Sequence, residues 1–320
     1  MRGLDFFMFC VEGAEYVSYG YLDEYQVNKY PGESIKGTLY LDASKKLKNI
    51  NCVTIALLGK CKVCWPEEDS DSSVKEESYV EKYQKMYTGG DIDRGKHEYP
   101  FSFRLPKHIP SSFECKDRSI SGYVRYTLEA TLERGDGLPS NETTVMTIIV
   151  QSRMNLNHIR ESKNPVTASE SEIFTTCCST VGPVTVDLSI PRKGYTPGDT
   201  IPVTAKIKSE GNISIKKTKI KLIQRVILTD NSYLNGQTRK IETTIECAKQ
   251  RKIKKVKSGE NGSWKAVNGF IPPSTPATNL GGFCTFIDVS YALQFHVHVN
   301  GVMVCELPII IGDVPLKDKK

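Results

Sequence analysis

Two pairs of side chains in this 320-residue sequence have the types and spacing that metal or redox chemistry uses. Cys61 and Cys64 form a Cys-x-x-Cys pair, the spacing of half a zinc site or of a redox pair. His296 and His298 alternate along a strand-like run, so both rings would face the same side. On a strand the two cysteines would point to opposite faces, and no third ligand lies close to the histidines in sequence. These patterns favour buried, reduced cysteines and solvent-facing histidines, with a metal or redox site as the alternative.

The strongest charged feature is the basic stretch between residues 249 and 257. On a strand its cations would lie on both faces, which is typical of a protected edge strand or a loop. The alternative is that they bind anionic lipid headgroups or phosphorylated segments. Nucleic acid is not expected as a partner, because aromatic side chains are not interleaved with the charges. The candidate anion-binding residues are Lys249, Arg251, Lys252, Lys254, Lys255 and Lys257.

Positive charge is concentrated in the second half of the chain. Residues 1–160 hold 21 Lys and Arg against 23 Asp and Glu, a net charge of −2. Residues 161–320 hold 22 against 14, a net charge of +8. A basic half favours an anionic partner, and phosphate groups or membrane surfaces are the usual candidates.

One sequence pattern occurs twice and indicates two homologous domains. Each copy begins with a Pro-Gly turn and an acidic residue, and continues to a proline and then to a tyrosine in a strand-like run. The landmarks are Pro31, Gly32, Glu33, Pro110 and Tyr126 in the first copy, and Pro197, Gly198, Asp199, Pro276 and Tyr291 in the second. The first proline and the tyrosine are separated by 95 residues in the first copy and by 94 in the second.

Alternating apolar and polar residues predict β-strands throughout both copies. Asn300-Gly301 and Asn235-Gly236 are typical turns of β-hairpins, and no convincing amphipathic helix is present. Many short strands predict an all-β protein of two tandem immunoglobulin-like antiparallel β-sandwiches. The expected boundaries are a first sandwich over residues 1–152, a polar linker over 153–182 and a second sandwich over 183–320.

The sequence also limits the compartment and the class of activity. Its N-terminal apolar run is only six residues long, too short for the core of a signal peptide. Ten cysteines in a chain without such a signal predict reduced thiols in the cytoplasm. The sequence contains no nucleophile elbow, glycine-rich phosphate loop or metal-binding helix motif, so neither an enzyme nor a cofactor is expected.

The order of these motifs resembles that of the α-arrestins, the arrestin-domain-containing branch of the arrestin superfamily. The similarity extends from about Asp5 to Pro315, and no single motif carries it alone. The shared motifs include the two Pro-Gly turns, Leu58-Gly59-Lys60, residues 95–106, Pro110-Ser111-Ser112-Phe113, Val124-Arg125-Tyr126, Ser258-Gly259 ahead of Trp264, and residues 307–312.

The resemblance implies the arrestin fold and a role as an adaptor. Such adaptors bind membrane receptors or transporters as cargo and direct their transport, through endocytosis, endosomal sorting or ubiquitylation by partners, which include other arrestin-like chains. The implied location is the cytoplasm, peripherally at the plasma membrane or endosomes. The alternative is an arrestin-fold structural subunit of a retromer-like sorting coat. Because fold alone does not establish function, these remain expectations.

Two departures from the family pattern limit the expected partners. Many α-arrestins carry Pro-Pro-x-Tyr motifs that dock WW domains of ubiquitin ligases. The one Pro-Pro pair in this sequence, Pro272-Pro273, lacks the tyrosine, so direct WW-domain docking is not expected. The thioredoxin-interacting α-arrestin uses a cysteine just before the tryptophan of its second domain. The matching position ahead of Trp264 holds Asn261, which leaves thioredoxin capture by that route unsupported.

Overall fold

The computed structural model divides the chain into two compact units. The first consists of Met1–Ser152 together with Phe283–Phe286, and the second of Arg153–Gly282 and Ile287–Lys320. The residues described are 4–19, 22–65, 73–117, 120–135, 141–151, 153–176, 179–210, 215, 217–229, 238–245, 261–271, 275–281, 284–299 and 301–317. Within these ranges, no helix has the length and apolar character needed to cross a membrane.

Among its described residues, the first unit contains eleven strands in two sheets. The strands are β1 (Leu4–Val11), β2 (Ala14–Tyr19), β3 (Leu22–Lys29), β4 (Ser34–Ala43), β5 (Leu47–Trp65), β6 (Ser73–Tyr87), β7 (Gly90–Ile92), β8 (Gly95–Arg104), β9 (Phe113–Asp117), β10 (Ile120–Arg134) and β11 (Glu142–Val150). One sheet has the order β1-β4-β8. The other has the order β2-β3-β11-β10-β5-β6, with β7 paired to β5 and β9 paired to β10.

Period-2 alternation places the core of this unit. Along β10 every second side chain is buried, including Val124, Leu128 and Leu132. The smaller sheet contributes Leu39 and Phe101, both also buried. Burying one such side chain stabilises the fold by about 1.5–3 kcal/mol, so the inner faces of the two sheets supply most of the driving force.

The second unit repeats the two-sheet arrangement. Its strands are β12 (Val166–Thr176), β13 (Ser179–Ile190), β14 (Gly194–Tyr195), β15 (Thr200–Ser209), β16 (Lys217–Thr229), β17 (Thr238–Ile245), β18 (Asn261–Phe270), β19 (Ile287–His298) and β20 (Val302–Ile311). One sheet has the order β12-β13-β15-β18, and the other β14-β20-β19-β16-β17. The predicted all-β fold of two β-sandwiches is confirmed.

The Pro-Gly corners of the two units share their hydrogen bonds. Glu33 accepts a hydrogen bond from the backbone N–H of Tyr30 (3.0 Å), and Asp199 accepts one from that of Thr196 (2.8 Å). Gly32 and Gly198 have φ angles of 84° and 89°, which glycine adopts without the steric cost of a side chain. The acidic residue therefore closes each turn from one end, while the glycine supplies the left-handed backbone.

The tyrosines of the repeat close a second contact in both units. The hydroxyl of Tyr126 donates to the carbonyl oxygen of Pro110 (2.7 Å), and that of Tyr291 donates to the carbonyl oxygen of Pro276 (2.8 Å). These are the prolines and tyrosines that the sequence repeat singled out. The predicted repeat is confirmed at the level of individual hydrogen bonds.

The residues predicted as a linker, 153–182, fall within the second unit, and Val166–Thr176 among them form strand β12, which corrects the expectation of a separate linker. Strand β12 pairs with β13 and lies at the edge of its sheet. Most of β12 is exposed, and Phe174 is the one buried side chain among those described for this strand. An edge strand covered on one face needs few apolar residues, so its Ser- and Glu-rich sequence looked like a linker.

The stretch before β12 is held by hydrogen bonds to the last residues of the second unit. The backbone N–H of Met154 donates to the Asp313 carboxylate (3.0 Å), and that of Leu156 donates to the Val314 carbonyl (3.2 Å). Ser162 is fully buried and its hydroxyl donates to the Leu156 carbonyl (2.6 Å). Polar contacts, rather than an apolar pattern, fix this stretch, which explains why periodicity did not reveal it.

Candidate binding face

One face of the second unit concentrates positive charge. Its five side chains are Lys217, Lys219, Lys221, His296 and His298, and we call it the lysine–histidine face. The three lysines alternate along β16 and the two histidines alternate along β19. All five side chains are half-buried. Because alternate residues of a strand share a face, each strand presents its basic residues on one side.

Strand register brings the two sets of residues together. Lys217 lies directly opposite His298, and Lys219 lies directly opposite His296. Directly opposed residues in an antiparallel pair have Cβ atoms about 4.5–5.5 Å apart, so the rings and the ammonium groups are neighbours. The other side of β16 carries buried Thr218, which holds this face outward.

A polar network fixes one end of the lysine–histidine face. Arg225 forms two hydrogen bonds with the Glu306 carboxylate, which neutralises that charge. Gln294 donates to Glu306 (3.0 Å), so its amide oxygen is left to face Nε2 of His296 (3.0 Å). Because that oxygen can only accept, Nε2 of His296 carries the hydrogen. The His296 ring is therefore held in one tautomer and orientation.

Both histidines are kept neutral by their surroundings. Burial, followed by the nearby Lys221, lowers the pKa of His296 from 6.5 to about 4. Burial and the nearby lysines also lower the pKa of His298. A proton on either ring would place another cation beside the lysines, which is unfavourable. An approaching anion would relieve this repulsion and favour protonation.

Lys219 and Lys221 remain available to a ligand. Within the described part of the chain, neither Lys219 nor Lys221 forms an ion pair with a carboxylate. Nε2 of His298 is buried and has no hydrogen-bond partner there. Val302 and Val304, directly opposite His298 and His296 on β20, are 49% and 39% exposed. The arrangement has the charge and shape to bind an anion that carries an apolar neighbour.

Residues 249–257, with all six candidate anion-binding residues, lie outside the described residues. Strand β17 is the element before them, and its last residue, Ile245, pairs with Leu222. Anion binding by the basic stretch therefore stays a prediction.

The cysteine pair has the alternation expected of a strand. Cys61 and Cys64 both lie on β5, and Cys61 is fully buried whereas Cys64 is half-buried. No group of three or more His, Cys, Asp or Glu side chains suited to a metal ion occurs within the described ranges. His296 and His298 do share a face, as predicted, but their nearest charged neighbours are lysines, which repel a cation.

Sequence reasoning singled out the histidines of β19 but did not connect them with the lysines of β16. The β19–β20 hairpin agrees with the predicted Asn300-Gly301 turn, although Asn300 itself lies outside the described residues. The pairing of β16 with β19 joins residues about 80 positions apart and depends on register. The signal in the sequence was the shared period of two in both strands.

Comparison with known families agrees with the repeat. A family model described as the N-terminal domain of arrestin (or S-antigen) matches residues 21–155. The corresponding model of the C-terminal domain matches residues 180–316. The two matches follow each other in the order of the family and together span most of the chain.

Individual relatives point to one branch of that family. The chain is similar to arrestin domain-containing protein 17 of Caenorhabditis elegans, with 27% identity over 89% of this chain and 68% of the relative. It is similar to arrestin domain-containing protein 4 of Homo sapiens, with 30% identity over 70% of this chain and 50% of the relative. Against arrestin domain-containing protein 1 of Mus musculus, identity is 25% over 89% of this chain and 61% of the relative. The chain thus spans about half to two thirds of the length of these relatives. It belongs to the arrestin superfamily, among the arrestin-domain-containing proteins or α-arrestins.

Proposed function

We propose that this chain is an adaptor that binds membrane receptors or transporters as cargo and directs their transport. The observation that supports this most strongly is the match to both arrestin domains in their natural order. The proposed location is the cytoplasm, peripherally at the plasma membrane or endosomes. The proposed activity is binding, with endocytosis, endosomal sorting or partner-dependent ubiquitylation as its outcome.

The lysine–histidine face supplies this adaptor with a contact for phosphate groups of the membrane surface. Lys219 and Lys221 lie on the same face as two neutral histidines, while the Glu306 carboxylate at one end of that face is neutralised by Arg225. Cations without an ion pair among the described residues, on a face that also carries exposed valines beyond the histidines, suit an anionic headgroup layer better than a neutral one. The six residues of the basic stretch, 249–257, are proposed to add to the same attraction.

Vesicle binding by matched double variants tests the membrane contact. Lys219→Ser with Lys221→Ser removes two cations of the face. Lys206→Ser with Lys208→Ser removes two exposed lysines, also two positions apart, from β15 in the other sheet of the same unit. Each cation near an anionic surface contributes about 1 kcal/mol, so the first variant should lose roughly 20- to 30-fold in affinity for phosphoinositide-containing vesicles.

The control variant should lose much less, and neither variant should change binding to neutral vesicles. Binding of the parent chain should weaken steeply with salt, because the screening length falls from about 10 Å at 0.1 M to about 3 Å at 1 M. Equal losses in both variants would mean that overall charge, rather than this face, attracts the membrane. A loss confined to phosphorylated peptides would assign the face to cargo tails instead of lipid.

Proximity labelling in cells tests the adaptor role itself. The proposal predicts receptors, transporters and ubiquitin ligases or their arrestin-like partners among the labelled proteins. Recovery of stable, stoichiometric coat subunits instead would contradict it and support the structural-subunit alternative.

A further inference from the structure

Two thiols of the first unit face each other at short range. Sγ of Cys61, on β5, lies 3.7 Å from Sγ of Cys284. Cys61 is fully buried, and Cys284 is half-buried in the segment Phe283–Phe286, which belongs to the first unit. Sulfur atoms in a disulfide are about 2.05 Å apart, so a shift of about 1.7 Å would join the two. The residues are 223 positions apart in sequence, and only folding brings them together.

A carboxylate holds the Cys284 segment in this position. Glu77 of β6 lies directly opposite Cys61 in the β5–β6 pairing. Its carboxylate accepts hydrogen bonds from the backbone N–H (3.3 Å) and the hydroxyl (3.0 Å) of Thr285. Anchoring Thr285 places the preceding residue, Cys284, over the buried thiol. The thiol contact is therefore a built feature of the fold rather than a chance approach.

The surroundings assign different roles to the two thiols. The pKa of the Cys61 thiol is raised by contact with the Cys284 thiol, by burial and by the Glu77 carboxylate. Cys61 is therefore protonated at neutral pH and shielded from solvent. Cys284 is the more exposed of the two, so an oxidant in solution would meet it first.

We propose that Cys61 and Cys284 are a modification site, joined into a reversible disulfide by a hydroperoxide. The Cys284 thiolate attacks one peroxide oxygen, the O–O bond breaks, and the departing hydroxide takes up the thiol proton as water. The Cys61 sulfur then attacks the sulfenic sulfur of Cys284 and displaces a second water as the S–S bond forms. The two thiols lose two electrons and two protons, and hydrogen peroxide is reduced to two water molecules. A dithiol reductant reverses the change.

The disulfide would tie residues 284–286 covalently to strand β5. In the reduced chain this attachment includes two hydrogen bonds from Thr285 to the half-buried Glu77 carboxylate, which are weaker restraints than a covalent bond. Oxidation would therefore make a breakable contact permanent until it is reduced. This inference does not depend on the proposed cargo or membrane partner.

Peptide mapping of the full chain tests the site. The purified chain is treated with hydrogen peroxide, its remaining thiols are alkylated, and it is digested without reduction for mass spectrometry. We expect a peptide containing Cys61 linked to one containing Cys284, and its return to two thiols with dithiothreitol. Cys284→Ser should abolish the link. Cys64→Ser, three residues along the same strand, should leave it intact.

A matched pair of variants tests the positioning by Glu77. Glu77→Ala should slow formation of the link roughly tenfold, because the thiols lose their imposed proximity. Glu76→Ala, which removes the neighbouring carboxylate and its ion pair with Lys60 (3.0 Å), should form the link at the parental rate. Unchanged far-ultraviolet circular dichroism would show that both variants fold. The proposal is overturned if peroxide produces no Cys61–Cys284 link in the parent chain, or if Cys64 rather than Cys61 is joined.

Discussion

In both units a tyrosine hydroxyl donates to a proline carbonyl, but the residue opposite the tyrosine differs. In the first unit Tyr126 lies opposite Gly59, and in the second Tyr291 lies opposite Gln224. A Cβ atom added to Gly59 would lie only 2.3 Å from Cδ1 of the Tyr126 ring. In the second unit Nε2 of Gln224 donates instead to the Tyr291 hydroxyl (2.9 Å). The position of Tyr126 thus depends on the space left by Gly59, and that of Tyr291 on an additional hydrogen bond.

This difference shows how one fold can hold the same contact by two physical means. Burial raises the pKa of both tyrosines, so both hydroxyls stay protonated and can donate. Tyr126 is 0% exposed and Tyr291 is 3% exposed. The ring in the first unit packs on bare backbone, whereas the hydroxyl in the second is held from two sides. Substitutions at matched positions should therefore have unequal effects.

The largest effect is expected from Gly59→Ala in the first unit. The new methyl group would overlap the Tyr126 ring and Val80, and overpacking should lower the free energy of unfolding by roughly 3 kcal/mol. Denaturant unfolding measures this, since Trp65 belongs to the first unit and Trp264 to the second. A Trp264→Phe background reports the first unit alone.

Gln224→Ala is the matched substitution in the second unit and removes one hydrogen bond without adding volume. We expect the free energy of unfolding to fall by about 1 kcal/mol. Trp264 fluorescence in a Trp65→Phe background measures this change. Equal losses for Gly59→Ala and Gln224→Ala would contradict the distinction between space and hydrogen bonding.

Removing either tyrosine hydroxyl should destabilise its unit less than Gly59→Ala does. Tyr126→Phe leaves the buried carbonyl of Pro110 without its donor, at a cost of about 2 kcal/mol. Tyr291→Phe should cost about 1 kcal/mol, because Pro276 and Gln224 are only half-buried and water can replace the lost partner. Unfolding of the same single-tryptophan backgrounds checks both values. A larger loss in the second unit would reverse the proposed order.

The glycines of the two Pro-Gly turns should be equivalent, unlike the residues opposite the two tyrosines. Gly32→Ala and Gly198→Ala each place a side chain at a positive φ, with an expected loss of about 1 kcal/mol in each unit. Gly198 has open space around the added methyl group, while the group at Gly32 would lie 3.3 Å from Cγ of the flexible Lys107. The two substitutions should therefore lower the melting temperature by similar amounts. A marked difference would indicate that the two Pro-Gly turns are not alike.

The smallest effect concerns pH and occurs only in the second unit. The pKa of His296 is about 4 in the folded chain against an ordinary 6.5, so the unfolded state binds its proton more readily. Stability should fall as pH decreases from about 6.5 towards 4. The half-exposed ring is screened by water, so we expect a loss of less than about 1 kcal/mol. His296→Gln should flatten this part of the stability profile, and an unchanged profile would argue against the depressed pKa.

Local sequence rules predicted the fold well where strands are bounded by strong turn signals. The Pro-Gly turns, Tyr126, Tyr291 and the β19–β20 hairpin were identified from residue type and spacing alone. The ordered stretch after Ser152 was missed, because Ser162 and Met154 are fixed by hydrogen bonds to distant backbone. Hydrogen bonds of this kind leave no apolar period in the sequence.

The candidate sites were predicted less completely, since they depend on register and on long-range contacts. His296 stood out in the sequence, but only the β16–β19 pairing makes Lys219 its neighbour. The approach of Cys284 to Cys61 had no sequence signal, because it depends on how residues 284–285 meet β6. Cys61 itself was recognised as a buried strand residue, which is correct.

The central functional claim, anion binding by the lysine–histidine face, is tested most directly by nuclear magnetic resonance of the histidine rings. A soluble phosphoinositide headgroup is titrated into the full chain while the ring signals of His296, His298 and His97 of the first unit are followed. If this face binds the headgroup, the signals of His296 and His298 should shift saturably. The pKa of His296 should rise from about 4, because a bound phosphate favours the protonated ring. Binding should accordingly tighten as pH falls, and the His97 signals should not move. Unchanged His296 and His298 signals, or equal shifts at His97, would contradict the claim.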